Sequence, residues 1–446
     1  MTDTLTRTEE TRKRPARPRK GRRPVRRFFI VSHRWLSLVL GLVLLAITTS
    51  GAVLLYRPEI ERMTSHGAYD VSGKSPTVDL VEARAAVLAA HPKFDATSVW
   101  AENGVFRVTD YETAWTVDPG TGEVLGHVGK TPAWLGFMDN LHECLFSCED
   151  YPAYISVLAK EIPHSGWMGL DGAKVTWGGA VLGVFGLLLL YLSLTGIWLW
   201  FPRPSKWRGS MTVRWKRGRF ARDTDLHKVA GMITIPFMLM WAITGAGFEL
   251  GFVEKAWYAA TPGQHQEYPD AVSKKSKAPD IPVEQAVAAA KKLHPALRLV
   301  NVDVPAKDDP TAAYTMYFQD GFDPYGETTY PGDLGVYVDR HTGVAKDNYG
   351  GPGESTAQSL WDGWSYPTHA GYIVNGWWRL IWMLFALSPI LLAITGISTW
   401  LVRRKTKKNQ KRSRRTGSTA PPMPADLADE LAEDPEMDPA LARTVE

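Results

Sequence analysis

The chain has 446 residues, a formal net charge of +4 and 45% hydrophobic residues, an average composition that would suit two or three soluble domains. Only two cysteines are present, which excludes iron–sulfur clusters and Cys-rich zinc sites. No Gly-rich phosphate cradle, Ser-His-Asp order or His-Glu-x-x-His motif occurs, so kinase, ATPase and zinc-protease readings have no support.

The average hides a segregated sequence. Residues 1–27 form a basic arm, expected to be disordered. Leu36 to Tyr56, Val175 to Phe201, Val229 to Phe252 and Ile373 to Val402 are mainly apolar, and each is long enough to cross a hydrocarbon core of about 30 Å as a helix. The first run is too long for a signal-peptide core and lacks a small-x-small cleavage site, so it reads as an anchored helix. The predicted spans are 28–56, 174–201, 227–252 and 373–402. Lys and Arg concentrate in the arm, in the connection 202–226 and in the tail 403–446, whose charged, Pro-rich end is also expected to be disordered. These three segments are therefore assigned to the cytoplasm, and connections 57–173 and 253–372 to the far side of a cell (inner, cytoplasmic) membrane. Beside a membrane helix, the basic arm reads as an anchor to lipid headgroups, not as a nucleic-acid site. Cys144 and Cys148 fall in the first outer connection, where an oxidising compartment permits a disulfide.

An internal repeat organises the rest. His33 is followed by Gly51, and His227 by Gly245, at the same spacing. Val81-Glu82-Ala83 through His91-Pro92 matches Val283-Glu284-Gln285 through His294-Pro295. Val117-Asp118-Pro119-Gly120-Thr121-Gly122 matches Val338-Asp339-Arg340-His341-Thr342-Gly343, and Leu194-Thr195-Gly196-Ile197 matches Ile394-Thr395-Gly396-Ile397. Each outer connection thus predicts a helix ending at His-Pro, alternating strands such as 105–108 and 314–318, and an Asp-x-x-Thr-Gly hairpin turn. Residues 261–280 read as a polar linker.

A His-headed helix, a Val-Glu-Ala helix, an Asp-x-x-Thr-Gly hairpin and a Thr-Gly near the end of the next membrane helix together resemble the PepSY-associated transmembrane helix family, over about residues 28–404. The resemblance implies an integral membrane α-helical protein with four transmembrane helices in a two-fold repeat and two extracytoplasmic α+β PepSY-like domains, the first carrying an insertion. It also implies kinship with iron-regulated membrane proteins and ferric-siderophore reductases, whose histidines hold b-type haem.

His33 and His227 occupy matched places, expected at the cytoplasmic ends of helices one and three. His142 and His369 precede helices two and four, with His369 expected at the outer face on a helix running to Gly396. Two such pairs are candidates to hold two haems, one per membrane face. A His at a helix end also serves as an interfacial or capping residue. Roughly thirty residues separate His142 from the second helix, so His164 is an alternative to it. The reading that follows is haem-b electron transfer to ferric iron or a ferric siderophore outside, with a quinol or a separate reductase as donor. The alternative is a non-redox PepSY protein that restrains or scaffolds an exported peptidase.

Overall fold

The computed structural model describes residues 24–201, 207–263, 265–319, 334–350 and 353–416. Residues 1–23 of the basic arm, the link 202–206 and the tail beyond Thr416 lie outside the described residues. The first half of the chain contains α1 (Pro24–Leu54), α2 (Arg57–Thr64), α3 (Leu80–Ala90), strands β1 (Ser98–Glu102), β2 (Val105–Thr109), β3 (Ala114–Val117) and β4 (Val124–Val128), then α4 (Ala133–Glu143) and α5 (Trp177–Trp200). After the short α6 (Trp207–Ser210) the order recurs: α7 (Arg219–Glu249), α8 (Gly251–Ala260), α9 (Val283–Leu293), β5 (Arg298–Asp303), β6 (Tyr314–Gln319), β7 (Leu334–Val338) and β8 (Ala345–Gly350). The second half ends in α10 (Thr356–Asp362), α11 (Ser365–His369), α12 (Arg379–Ala386) and α13 (Ser388–Thr416).

Four helical stretches are long and apolar enough to cross a membrane: Pro24–Leu54, Trp177–Trp200, Arg219–Glu249 and Arg379–Ser413. Helix α7 packs against α5 and α13, while α1 packs against α5, α12 and α13. Glycines permit the tightest contact. A methyl group at Gly186 of α5 would meet the backbone nitrogen of Ala246 at 2.8 Å, and one at Gly183 would meet Leu250 at 2.5 Å, so these positions bring α5 and α7 closer than any larger residue allows.

Several boundaries differ from the sequence-based expectation. Helices α1 and α7 begin at Pro24 and Arg219, so His33 and His227 sit more than two turns inside them and not at their starts; the preceding arginines are good helix formers and extend the helix past the apolar run. The fourth span is interrupted where Ser388-Pro389 follows Leu387, because proline lacks the N–H needed to continue a helical ladder. His369 lies on the separate α11, and the turn at Gly371 (φ +74°) intervenes before α12. The continuous helix expected from His369 to Gly396 therefore does not exist. The tail, expected to be disordered after the fourth span, stays helical through Thr416, again through Lys and Arg of high helix propensity.

The outer connections also differ. They were expected as two separate α+β units, yet their strands form one antiparallel sheet of order β4-β3-β2-β1-β5-β6-β7-β8. Strands β1 and β5 pair at the centre, with Ser98 opposite Asp303, Val99 opposite Val302 and Trp100 opposite Asn301. Left apart, each half would expose an unpaired strand edge. Joined, they share one core in which Ala83 and Val87 of α3, Ala286 and Ala290 of α9, and Val99, Val302, Met316 and Val336 of the sheet are all buried. Because one sheet takes strands from both connections, both lie on the same side of the helix bundle.

The hairpin turns perform matched tasks. Asp118 accepts from the backbone N–H groups of Ser72 and Gly120 at 2.8 and 2.7 Å. Asp339 accepts from those of Lys274, His341 and Thr342 at 2.9, 3.0 and 2.8 Å. Each carboxylate thus ties a β-hairpin to the chain that leads into α3 or α9, and Gly122 (φ +73°) and Gly343 (φ +70°) supply the left-handed residue that the turn requires. Hydrogen bonds led by that of Ser72 lower the Asp118 carboxyl to about 2. For Asp339, burial acts upward but the donated hydrogen bonds outweigh it, again giving about 2.

Depressed carboxyl values contribute stability that is present above the unfolded value of 3.8 and is lost as pH falls through about 2. Thermal unfolding of the purified protein should therefore show the sheet weakening between about pH 4 and pH 2, and Asp118→Asn should be less stable at pH 7 with a flatter acid limb. An unchanged acid limb in that variant would refute the assignment. A second clamp joins α12 to the corner between α1 and α2. Arg379 is fully buried, donates to the Leu55 carbonyl and pairs with Glu59; Arg379→Ala should cost about 3 kcal/mol, read as a lower unfolding midpoint in detergent.

Candidate functional site

The four histidines singled out by the repeat occupy four versions of one arrangement. On the side of the bundle away from the sheet, His33 of α1 places Nδ1 2.9 Å from Thr195 Oγ1 of α5. His227 of α7 places Nδ1 3.0 Å from the Leu392 carbonyl and 3.1 Å from Thr395 Oγ1 of α13. On the sheet side, His142 of α4 places Nδ1 2.8 Å from the Ile47 carbonyl of α1, and His369 of α11 places Nδ1 2.7 Å from Thr244 Oγ1 of α7.

Every ring lies over a glycine of the helix it bonds. A methyl group at Gly196, Gly396 or Gly245 would stand 3.8, 3.5 or 3.5 Å from the Cε1 atom of His33, His227 or His369, and one at Gly51 would stand 2.4 Å from Cε1 of His142. The Thr-Gly phrase therefore works as a unit: glycine leaves room for the ring, and the neighbouring residue or the carbonyl one turn back meets Nδ1.

Proton accounting assigns the tautomer. Thr195, Thr395 and Thr244 donate their hydroxyl protons to the carbonyls of Tyr191, Leu391 and Met240 in their own helices, at 2.7, 2.7 and 2.8 Å. A hydroxyl has a single proton, so each threonine meets the imidazole as an acceptor. The carbonyls of Ile47 and Leu392 are acceptors by nature. All four Nδ1 atoms consequently carry the proton, and all four Nε2 atoms present a lone pair. No hydrogen bond to any of these Nε2 atoms occurs among the described residues.

The levels follow from helix geometry. His33 and Gly51 on α1, like His227 and Gly245 on α7, are eighteen residues apart, or about 27 Å along the axis. Each helix thus carries one histidine near one membrane face and seats another near the opposite face. The rings of His142 and His369 are 6.1 Å apart. Two imidazoles that close would be able to share one bound group. His369 is held further by Phe248, 5.3 Å away, by Trp241 Nε1 donating to its carbonyl, and by Trp382 Nε1 donating to the Thr368 carbonyl. His33 faces α5 and His227 faces α13, both at the end of the bundle away from the sheet.

His164 is placed elsewhere. It caps a short turn at Ser165–Trp167 in the left-handed conformation (φ 57°) and is exposed, so His142 is the residue that accompanies His369. Cys144 and Cys148 form a disulfide with Cα atoms 5.7 Å apart, immediately after α4. The segment that follows reaches α8, where the Gly251 N–H donates to the Met168 carbonyl at 2.6 Å and Trp167 stacks on Phe252. Among the described residues, no group of three or more His, Cys, Asp and Glu side chains could hold a metal ion.

Sequence reasoning alone does not find the seats. Thr195, Thr244, Thr395 and Ile47 carried a visible signal, since Thr-Gly or Ser-Gly ends all four spans, but the phrase alone does not say which histidine faces it. If glycine makes the seat, Gly51→Ala should displace His142 and destabilise the fold by about 1–3 kcal/mol, whereas Gly41→Ala, with nothing within 4 Å, should leave it unchanged. Equal unfolding midpoints for the two variants would remove the seating role.

No curated protein matches the chain. The sequence profile of the PepSY-associated TM region matches residues 31–403, which take in most of α1, all of α5, α7 and α12, the first part of α13, the whole sheet and every one of the four seated histidines. The chain is thus a membrane protein that belongs to the PepSY-associated TM region family.

Proposed function

We propose that this protein binds two b-type haems, one between His33 and His227 and one between His142 and His369, and carries electrons across the cell membrane. The observation that supports this reading most directly is the fourfold seating of an imidazole on glycine with Nδ1 bonded inward and Nε2 bare. Orienting the outer ring nitrogen by bonding the inner one is how proteins present a histidine to a metal. Two imidazoles alone make a poor site for a bare ion, so the remaining ligands must come with the group, as a porphyrin supplies them. When bound, haem provides a one-electron couple. The chain's own residues fix the two rings of each pair, and the apolar faces of the helices keep water from them.

The Lys and Arg of the basic loop and tail favour a cytoplasmic position for them, with the sheet outside. On that orientation electrons enter from a quinol or a separate reductase and leave beneath the sheet, where ferric iron or a ferric siderophore is the acceptor. Reduction to Fe(II) weakens the chelator's hold on the metal.

The test is an oxidised and dithionite-reduced spectrum of the detergent-purified protein with haem counted per chain. Two haems are expected, one lost in His33→Ala or His227→Ala and the other in His142→Ala or His369→Ala, while His164→Ala keeps both. The reduced protein should then be reoxidised by a ferric chelate and not by its gallium analogue. A folded protein that takes up no haem on haem-supplemented expression would overturn the electron-transfer reading and favour a non-redox protein whose sheet binds an exported partner such as a peptidase.

A further inference from the structure

Beyond the histidines, the geometry points to Thr195, Thr244 and Thr395 as positioning residues that set the electron affinity of each site by accepting the Nδ1 proton of its histidine. The proposal rests on the haem reading above. A threonine hydroxyl in a membrane helix ordinarily returns its proton to a carbonyl one turn back and has no further role. Here the same oxygen faces an imidazole of another helix at 2.9 Å for His33, 2.7 Å for His369 and 3.1 Å for His227. Each hydroxyl is polarised by its own donated bond, at 2.7 or 2.8 Å, and becomes a better acceptor. The result is a relay from helix carbonyl through hydroxyl to imidazole. It pushes electron density toward Nε2, and so toward a bound iron, favouring the oxidised state.

The four sites are unequal, and the inequality makes the proposal specific. Thr195 is the sole Nδ1 partner of His33, and Thr244 is the sole Nδ1 partner of His369, among the described residues. His227 has both Thr395 and the Leu392 carbonyl. At the fourth site the phrase reads Ser50-Gly51; the serine donates to the Ile47 carbonyl at 2.8 Å, and His142 uses that same carbonyl. Ser50 therefore does not touch the imidazole, and a backbone acceptor that no side-chain substitution removes serves in its place.

The experiment is redox titration of the full-length protein, followed optically, with haem content measured alongside, for Thr→Val and Thr→Ser at each position. Valine keeps the shape of threonine and removes the acceptor. Thr195→Val should raise the midpoint potential of one haem and Thr244→Val that of the other, each with about 10–100-fold weaker haem retention, and serine should restore both properties. Thr395→Val should act on the same haem as Thr195→Val but more weakly, because Leu392 remains. If valine prevents folding at any position, cysteine, a weaker acceptor of similar size, takes its place. Haem bound at unaltered potential and affinity in Thr195→Val and Thr244→Val would overturn the relay while leaving the haem reading intact. Wild-type protein without haem would instead remove the reading beneath it.

Discussion

An imidazole placed among apolar helices must find an acceptor for its N–H within protein, because lipid offers none and an unmet polar group costs several kcal/mol. The membrane part of this molecule is arranged around that requirement four times. A backbone carbonyl in a helix is normally occupied by its own ladder, and only a close approach lets a neighbour reach it or a hydroxyl attached to the next turn. Glycine permits the approach, and the residue beside it supplies the oxygen. The recurring Thr-Gly at the ends of the spans is therefore a consequence of where histidines must be held.

The same close approach governs how the helices assemble. Helix α7 lies between α5 and α13 and takes part in both histidine pairs, carrying His227 and seating His369. Helix α1 does the same for His33 and His142. Each helix of the first and third positions thus spans the distance between the two levels, so that the separation of the pairs is fixed by the rise of an α-helix and not by loops. The short α4 and α11 bring the sheet-side histidines in from outside the spans, packed on α1 and α7 respectively. The joined sheet above them restrains both connections at once, because neither half can move without breaking the β1–β5 pairing.

The halves have nevertheless diverged where charge is concerned. Seventeen residues before Gly196 stands Gly179, and at the same interval before Gly396 stands Arg379. Arg379 is fully buried, lies over the rings of Tyr56 and Tyr372 at 5.0 and 5.6 Å, and pairs with Glu59. In the other half the space at Gly179 is occupied by the Glu249 carboxylate, which would lie 2.5 Å from a methyl group there. A guanidinium clamp on one side and a carboxylate against glycine on the other make the sheet-side face of the bundle electrically asymmetric, although the backbone path is repeated.

Much of this could be read before any coordinates. Hydropathy and length identify four spans, the repeated phrases align the halves, and Asp-x-x-Thr-Gly locates the β3–β4 and β7–β8 turns, because these signals arise from interactions within a few residues. Four histidines stand out by their positions in the repeat. The tertiary structure alone decides that Nδ1 of His33 meets Thr195, that His142 and not His164 stands beside His369, and that β1 joins β5 into one sheet. These depend on contacts between residues hundreds apart, whose partners the local pattern does not name. The interruption at Ser388-Pro389 shows the boundary between the two kinds of knowledge. Proline announces the break between α12 and α13, but only the tertiary structure shows the chain turning at Gly371 and leaving His369 on a helix of its own.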